Sequence, residues 1–194
     1  MIKMEQTFAE NKTYDRVDFR EVSFAKGEYE NCTFNNCEFS NTDLSGIKFV
    51  ECEFIGCNLS LVKLDNTALR DIKFTDCKML GLRFDSCNEF GLAFSFENCS
   101  LNHSSFYKLK IKKTEFRNSQ LIETDFTECD LTGSVFDNCD LKRATFENTI
   151  IEKSDFRTSY NYSIDPETNK IKKAKFSVPG AIGLLDKYDI EIDG

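Results

Sequence analysis

Residues 124–148 read TDFTE CDLTG SVFDN CDLKR ATFEN, with a bulky apolar residue at the centre of every pentapeptide: Phe126, Leu131, Phe136, Leu141 and Phe146. Two residues before each centre stands a small one, Thr124, Cys129, Ser134, Cys139 or Ala144, and the positions between are mostly polar or charged. A period of five fits neither a helix at 3.6 nor a strand at 2. It fits a coil that turns a corner after each five-residue side, and such self-similarity dictates the architecture ahead of local propensity.

The beat extends in both directions. Downstream it reaches Ile151 and Phe156; upstream it runs through Leu121, Phe116, Ile111, Phe106 and Leu101 to Phe96. An earlier run begins at Tyr14 and passes through Phe19, Phe24, Tyr29, Phe34 and onward to Met79 and Phe84. Its small slots, among them Val17, Val22, Gly27, Cys32, Cys37, Thr42 and Ile47, carry no charge. Two inward residues per five, one large and one small, describe a narrow tube with a filled interior and a polar skin. Phe84 and Phe96 are twelve residues apart where ten would keep the beat, so residues 85–96, DSCNEFGLAFSF, hold a two-residue insertion or an equivalent deletion. A bulge that kinks the coil is expected there. The functional alternative is a small protruding loop with Phe90 exposed. Phe94 falls in the small slot and implies a locally widened interior.

CTFNN CEFSN TDLSG, the quoted stretch 124–148 and SDFRT resemble the pentapeptide-repeat proteins, whose consensus is roughly A(D/N)LXX. The resemblance covers residues 12–158. It implies an all-β fold, a right-handed quadrilateral parallel β-helix with four pentapeptides per coil. Within the family, the chain is similar to the Qnr and MfpA group in its long repeat and in an apolar tail ending GLLDKYDIEI. Those proteins are dimeric rods that bind DNA gyrase or topoisomerase IV, counter fluoroquinolones and mimic duplex DNA. The chain departs from several of them in having no long loop projecting from the coils, so no gyrase-contacting residue transfers by motif.

Residues 1–12 precede the repeats and are expected to cap the tube, whose open end would otherwise expose unpaired backbone groups. After Phe156, RTSYNYSIDPETNK reads as a polar loop turning at Asp165-Pro166. IKKAKFS reads as a short strand, VPGAIGLLDKY as a short helix with Pro179 in its first turn, and DIEI as a last strand. Segment 159–194 is thus a capping or dimerisation tail, with Ala181, Leu184, Leu185 and Ile190 as the candidate homodimer interface.

Net charge is −8 over 194 residues, which argues against direct nucleic-acid binding. No apolar stretch approaches the ~20 residues that span a bilayer, and MIKMEQTFAENK lacks a signal peptide's apolar core, so a cytoplasmic protein is expected. All nine cysteines fall in the small slot, Cys87 included when the first register is carried to Glu89. They are expected to be buried, free thiols acting as small hydrophobes.

Residues 12–158 carry 25 Asp/Glu and 19 Lys/Arg, a net of −6. The side through Phe106, Phe126 and Phe146 holds Asp125, Glu128 and Glu147 beside Lys108, while Lys110, Lys112 and Lys113 make a basic spot on the adjacent side. A mixed, solvated skin is the bland alternative. The remaining partner-surface candidates are Leu61 with Leu80 one coil on, and Phe90.

Nothing points to catalysis. The single His103 is outward with no nucleophile or orienting partner. No metal-ligand spacing and no phosphate-binding glycine loop occur, and no cofactor is expected. The sequence therefore describes a binding protein, either a ligand of gyrase or topoisomerase IV or an interaction scaffold with another partner.

Overall fold

The computed structural model describes residues 7–191. Each five-residue side forms one wall of a four-walled coil. Strands β1 (Thr7–Glu10) and β2 (Thr13–Asp15) open the first coil, followed one coil on by β3 (Gly27–Glu30) and β4 (Thr33–Asn35). β5 (Lys48–Val50) and β6 (Glu53–Ile55) come next, then β7 (Ala68–Arg70) and β8 (Ile72–Thr75), and the later coils add β9 (Phe94–Glu97), β10 (Glu115–Arg117) and β11 (Val135–Asp137). The first wall is a parallel sheet in the order β1-β3-β5-β7, and the second in the order β11-β10-β9-β8-β6-β4-β2. Partners are one coil apart, as in Phe34↔Phe54 and Phe116↔Phe136. The third wall is held by bridges such as Asp18↔Glu38↔Asn58↔Lys78, and the fourth by Asp43↔Lys63 and Arg83↔Ser105↔Asp125↔Thr145.

The corners explain the polar residue two places after each centre. The chain turns there through a positive φ, borne by Asn31, Asn36, Asn41, Asn98, Asn118 and Asn138 or by Gly46, Gly56 and Gly133. Asn and Gly tolerate this region better than other residues. Stacked corner asparagines also bond to each other, Asn31 Nδ2 donating to Asn11 Oδ1 at 2.7 Å and Asn138 Nδ2 to Asn118 Oδ1 at 2.9 Å.

The second wall presents an aromatic ring inward at every level: Tyr14, Phe34, Phe54, Phe74, Phe96, Phe116, Phe136, Phe156 and Phe176. Successive rings stack nearly parallel with centroids between 4.6 and 5.5 Å. A second column on the fourth wall links Phe84, Phe106, Phe126 and Phe146. Offset stacks of this spacing add to the area each ring buries.

The small slot also does polar work. Its thiol or hydroxyl donates to a main-chain carbonyl one coil back: Cys57 Sγ to Phe34 O, Cys77 Sγ to Phe54 O, Thr149 Oγ1 to Phe126 O, Ser154 Oγ to Leu131 O. Cys, Ser and Thr are small enough for the slot and each carries a donor. All nine cysteines are buried and free.

The register break sits within one corner. Glu89 occupies a centre position yet is not part of the core, Phe90 and Gly91 bulge outward, and Leu92 packs partly against the core. Phe94 fills the slot beside Phe96, pairing with Ile72. Phe74 and Phe96 still stack at 5.3 Å, so the column passes through the insertion unbroken.

Several local expectations need correction. Residues 7–10 are not a separate cap, because β1 is hydrogen-bonded to β3 as the first rung of the wall; residues 1–6 lie outside the described residues. Val22 has the spacing of a small slot but is 56% exposed. Its amide bonds to Asp18 O in a tight turn, which lifts the side chain off the coil, and the fourth wall's ladder begins only at Asp43↔Lys63.

The coil also continues beyond 158. Ile150↔Lys170 and Asp155↔Lys175 are bridged, Phe176 stacks on Phe156, and Asn169 fills a slot, its Nδ2 donating to Phe146 O. IKKAKFS is therefore the next rung of two walls, with no strand of its own. The helix is two 3-10 turns, Pro179–Leu184 and Asp186–Tyr188. Residues 189–191 of DIEI form no strand, and Ile192 lies outside the described residues.

Candidate interaction surface

The inward positions are filled, so the walls and the C-terminal end are what the molecule offers to a partner. The fourth wall brings three predicted carboxylates together. Asp125 bridges to Thr145 beside Glu147, and Glu128 stands at the corner after Phe126 with φ 57°. Asp125 Oδ1 is committed to its own turn, accepting from Thr127 N at 2.9 Å. Glu128 accepts from Tyr107 Oη at 3.3 Å and lies 3.5 Å from Lys108 Nζ, which itself sits over the Tyr107 ring. Glu147 is exposed and has no ion pair among the described residues. Asp165 and Glu167 follow, clamped by Lys187 Nζ at 2.8 and 2.6 Å, and that contact holds both carboxyls below their usual range.

Leu61 and Leu80 meet on the third wall. Leu61 is 58% exposed, its amide donates to Leu80 O, and its side chain crosses Gly81, where an added Cβ would come within 2.9 Å of Leu61 Cδ2. Phe90 stands on the first wall, 76% exposed. The Arg70 guanidinium lies 5.1 Å from its ring centroid, and Arg70 Nε donates to Phe90 O. The six partner-surface candidates thus occupy three walls and make no single patch.

His103 is outward, at a corner with φ 61°. Its Nδ1 is 3.2 Å from Glu123, whose other oxygen takes Arg143. This is an exposed ionic column without a nucleophile. No group of His, Cys, Asp and Glu suited to a metal ion occurs among the described residues, and no helix there is long and apolar enough to cross a membrane.

The tail candidates divide. Leu184 is half-buried against the core and Ala181 is half-buried, so both cover the tube end. Leu185 at 37% and Ile190 at 56% face outward, together with Ile182, Tyr188, Tyr160 and Val178. Tyr162 is buried under this cover, packed against Gly180, and its hydroxyl has no partner.

The continuing coil adds something the repeat region alone did not show. Lys170 continues the first-wall column of Lys110, Asp130 and Ile150, and Lys172 and Lys173 follow it on the same side. With Lys112, Lys113 and Lys153, the C-terminal half of that wall carries seven lysines against Asp130 and Glu152. The signal was in the sequence: Ile171 and Phe176 stand twenty residues after Ile151 and Phe156.

Comparison with known proteins agrees with this architecture. The family model described as pentapeptide repeat region matches residues 27–94, 47–126 and 84–160. Among solved structures, a trypsin-treated QnrB1, described as a plasmid-mediated fluoroquinolone resistance protein, superposes with a TM-score of 0.62 at 20% identity, covering 97% of this chain and 98% of that one. Full-length QnrB1 gives a TM-score of 0.39 at 22% identity, covering 95% and 98%. HetL, a pentapeptide-repeat protein involved in heterocyst differentiation regulation in a Nostoc cyanobacterium, gives 0.46 at 14% identity, covering 88% and 85%. No significant match occurs among curated protein sequences.

Proposed function

The chain belongs to the pentapeptide-repeat family, and from that premise we propose that it is a non-catalytic binding protein of the cytoplasm whose partner is DNA gyrase or topoisomerase IV. The observation that carries the reading is the set of carboxylates on the fourth wall, Asp125, Glu128 and Glu147 beside Lys108, with Asp165 and Glu167 after them in the chain. An enzyme that grips duplex DNA does so through a basic surface, and a rod bearing carboxylates on one side competes for it. B-DNA carries one charge per about 1.7 Å, so this set is a sparse imitation, and binding is expected to be weaker than that of DNA and sensitive to salt. The whole-length fold likeness to QnrB1 supports the choice of partner. The exposed apolar residues of the tail, Ile182, Leu185 and Ile190, support a symmetric dimer through the C-terminal ends, which would double the length of the rod.

A gyrase supercoiling assay with and without a fluoroquinolone tests the reading. Added protein should slow supercoiling or shift its drug sensitivity. Glu128→Lys with Glu147→Lys should reduce that effect, and Leu185→Glu should convert a sedimenting dimer to monomer and weaken it. No effect at any soluble concentration would leave the alternative, a scaffold for a different protein.

A further inference from the structure

Nine sides fall on the first wall, centred on Ala9, Tyr29, Phe49, Leu69, Glu89, Ile111, Leu131, Ile151 and Ile171, with no backbone bridge between the fifth and the sixth among the described residues. The charge of this wall is not evenly spread. The outward positions of the first four levels hold Glu10, Glu28, Glu30, Glu51 and Asp71 against Lys48 and Arg70, a net of −3. The last four levels hold the seven lysines against Asp130 and Glu152, a net of +5. The fifth level, midway, carries Phe90, 76% exposed on the bulge of the register break, beside the exposed carboxylate of Glu89.

An acidic half and a basic half on either side of Phe90 are self-complementary under a two-fold axis through the midpoint. We infer that this wall docks on the same wall of a second copy, the two rods antiparallel and the two Phe90 rings in contact. The inference is independent of the gyrase reading and of the C-terminal dimer.

With the axis crossing the wall at Phe90, each outward position faces its equivalent at the mirrored level. Asp71 then faces Lys113, Lys48 faces Asp130 and Glu10 faces Lys172 of the other copy, and symmetry repeats each pair. Three like-charged pairs arise as well: Glu30 with Glu152, Arg70 with Lys112 and, at the axis itself, the exposed Glu89 with its own copy. Arg70 is already turned onto Phe90 and Lys112 onto Asp130 at 3.1 Å, so the second clash is relieved. The strip is about 38 Å long at ~4.8 Å per level and roughly 10 Å wide at ~3.3 Å per residue. That buries on the order of 800 Å² in total, below stable interfaces. The contact is therefore a weak, salt-sensitive one.

Phe90→Cys tests it in the full chain, because the axis brings the two new thiols together while the native thiols are buried. Mild oxidation at low ionic strength should yield covalent dimer at least about tenfold faster than Leu61→Cys, an exposed site on another wall, and salt should slow the reaction as it screens the flanking charges. In the Phe90→Cys background, Asp71→Lys or Lys113→Glu alone should slow cross-linking, and both together should restore it. Cross-linking should persist when Leu185→Glu is added, which separates this contact from one at the tail. Equal cross-linking at Leu61→Cys, indifference to salt, or failure of the double reversal to restore the rate would each overturn the inference.

Discussion

Replacing Phe126 with Ala removes a ring that has no solvent exposure and lies between Phe106 and Phe146, with centroids 5.2 Å away on either side. It also meets Phe116 and Phe136 edge-on at 5.9 and 5.8 Å. A buried Phe→Ala change costs about 3–5 kcal/mol, and a ring packed against four others belongs toward the upper end of that range. At ~2–4 °C per kcal/mol for a chain of this size, the midpoint of thermal unfolding should fall by roughly 8–20 °C. Phe146→Ala should cost less, because no ring stacks on its far side and it is 6% exposed. Glu128→Ala, a solvated corner residue, should stay within about 0.5 kcal/mol. Urea unfolding of the three variants provides the ranking. Equal losses for Phe126→Ala and Glu128→Ala would refute the assignment of inside and outside. Equal losses for Phe126→Ala and Phe146→Ala would refute the additive role of the stack.

Three further outcomes follow from other parts of the structure. All nine thiols are buried, so a thiol reagent should find almost none of them in the native protein at neutral pH and close to nine in denaturant; burial also pushes the Cys139 and Cys87 thiols up to about 12 and those of Cys37 and Cys52 up to about 11. Because the folded values are raised, the associated stability is complete below the unfolded value of ~8.5 and is lost as pH climbs toward 11 and 12, which alkaline denaturation will show. The Arg157 fork holds the Asp155 carboxyl down at about 2; its stabilising share is present above the unfolded value of ~3.9 and vanishes as pH falls through about 2, so the gap in urea midpoint between wild type and Asp155→Asn should close on acidification. Gly133→Ala, at φ +73° with no atom nearer than Lys113 Cγ at 3.6 Å, should cost about 1–2 kcal/mol from backbone conformation alone, whereas Gly27→Ala would drive its Cβ into the Thr7 carbonyl and should free β1 to exchange its amide hydrogens.

The tube was legible because its inside is periodic: Phe126 and Cys129 announce their orientation by position alone. Even the break was legible as a slip of the beat, an insertion of two residues or an equivalent deletion, since the beat resumes unchanged at Phe96. What the beat could not convey was any element whose fate depends on a neighbour one coil away. Val22 keeps the right spacing yet is lifted out by a turn onto Asp18. Lys170 looked like the end of a polar loop because two irregular sides, filled by Tyr162 and Ile164, interrupt the beat before Ile171 restores it. The surface was least legible of all, since the residues that share a wall lie twenty apart in sequence. The separation of charge along the first wall emerges only once the last coil is counted.

The aromatic column that passes unbroken through the register break has a consequence for how such a chain changes. The interior asks for one large and one small residue per side, and only the ring columns distinguish one side from another. Duplicating or deleting a single pentapeptide would leave that demand met while rotating everything downstream by a quarter turn. The carboxylates of the fourth wall would then run on from a different wall upstream, and Lys113 would no longer lie in line with Asp71. The molecule is a stack of dials: its outer pattern can be reset wholesale by one short slip in the gene, with no side chain replaced and no rung of the ladder lost.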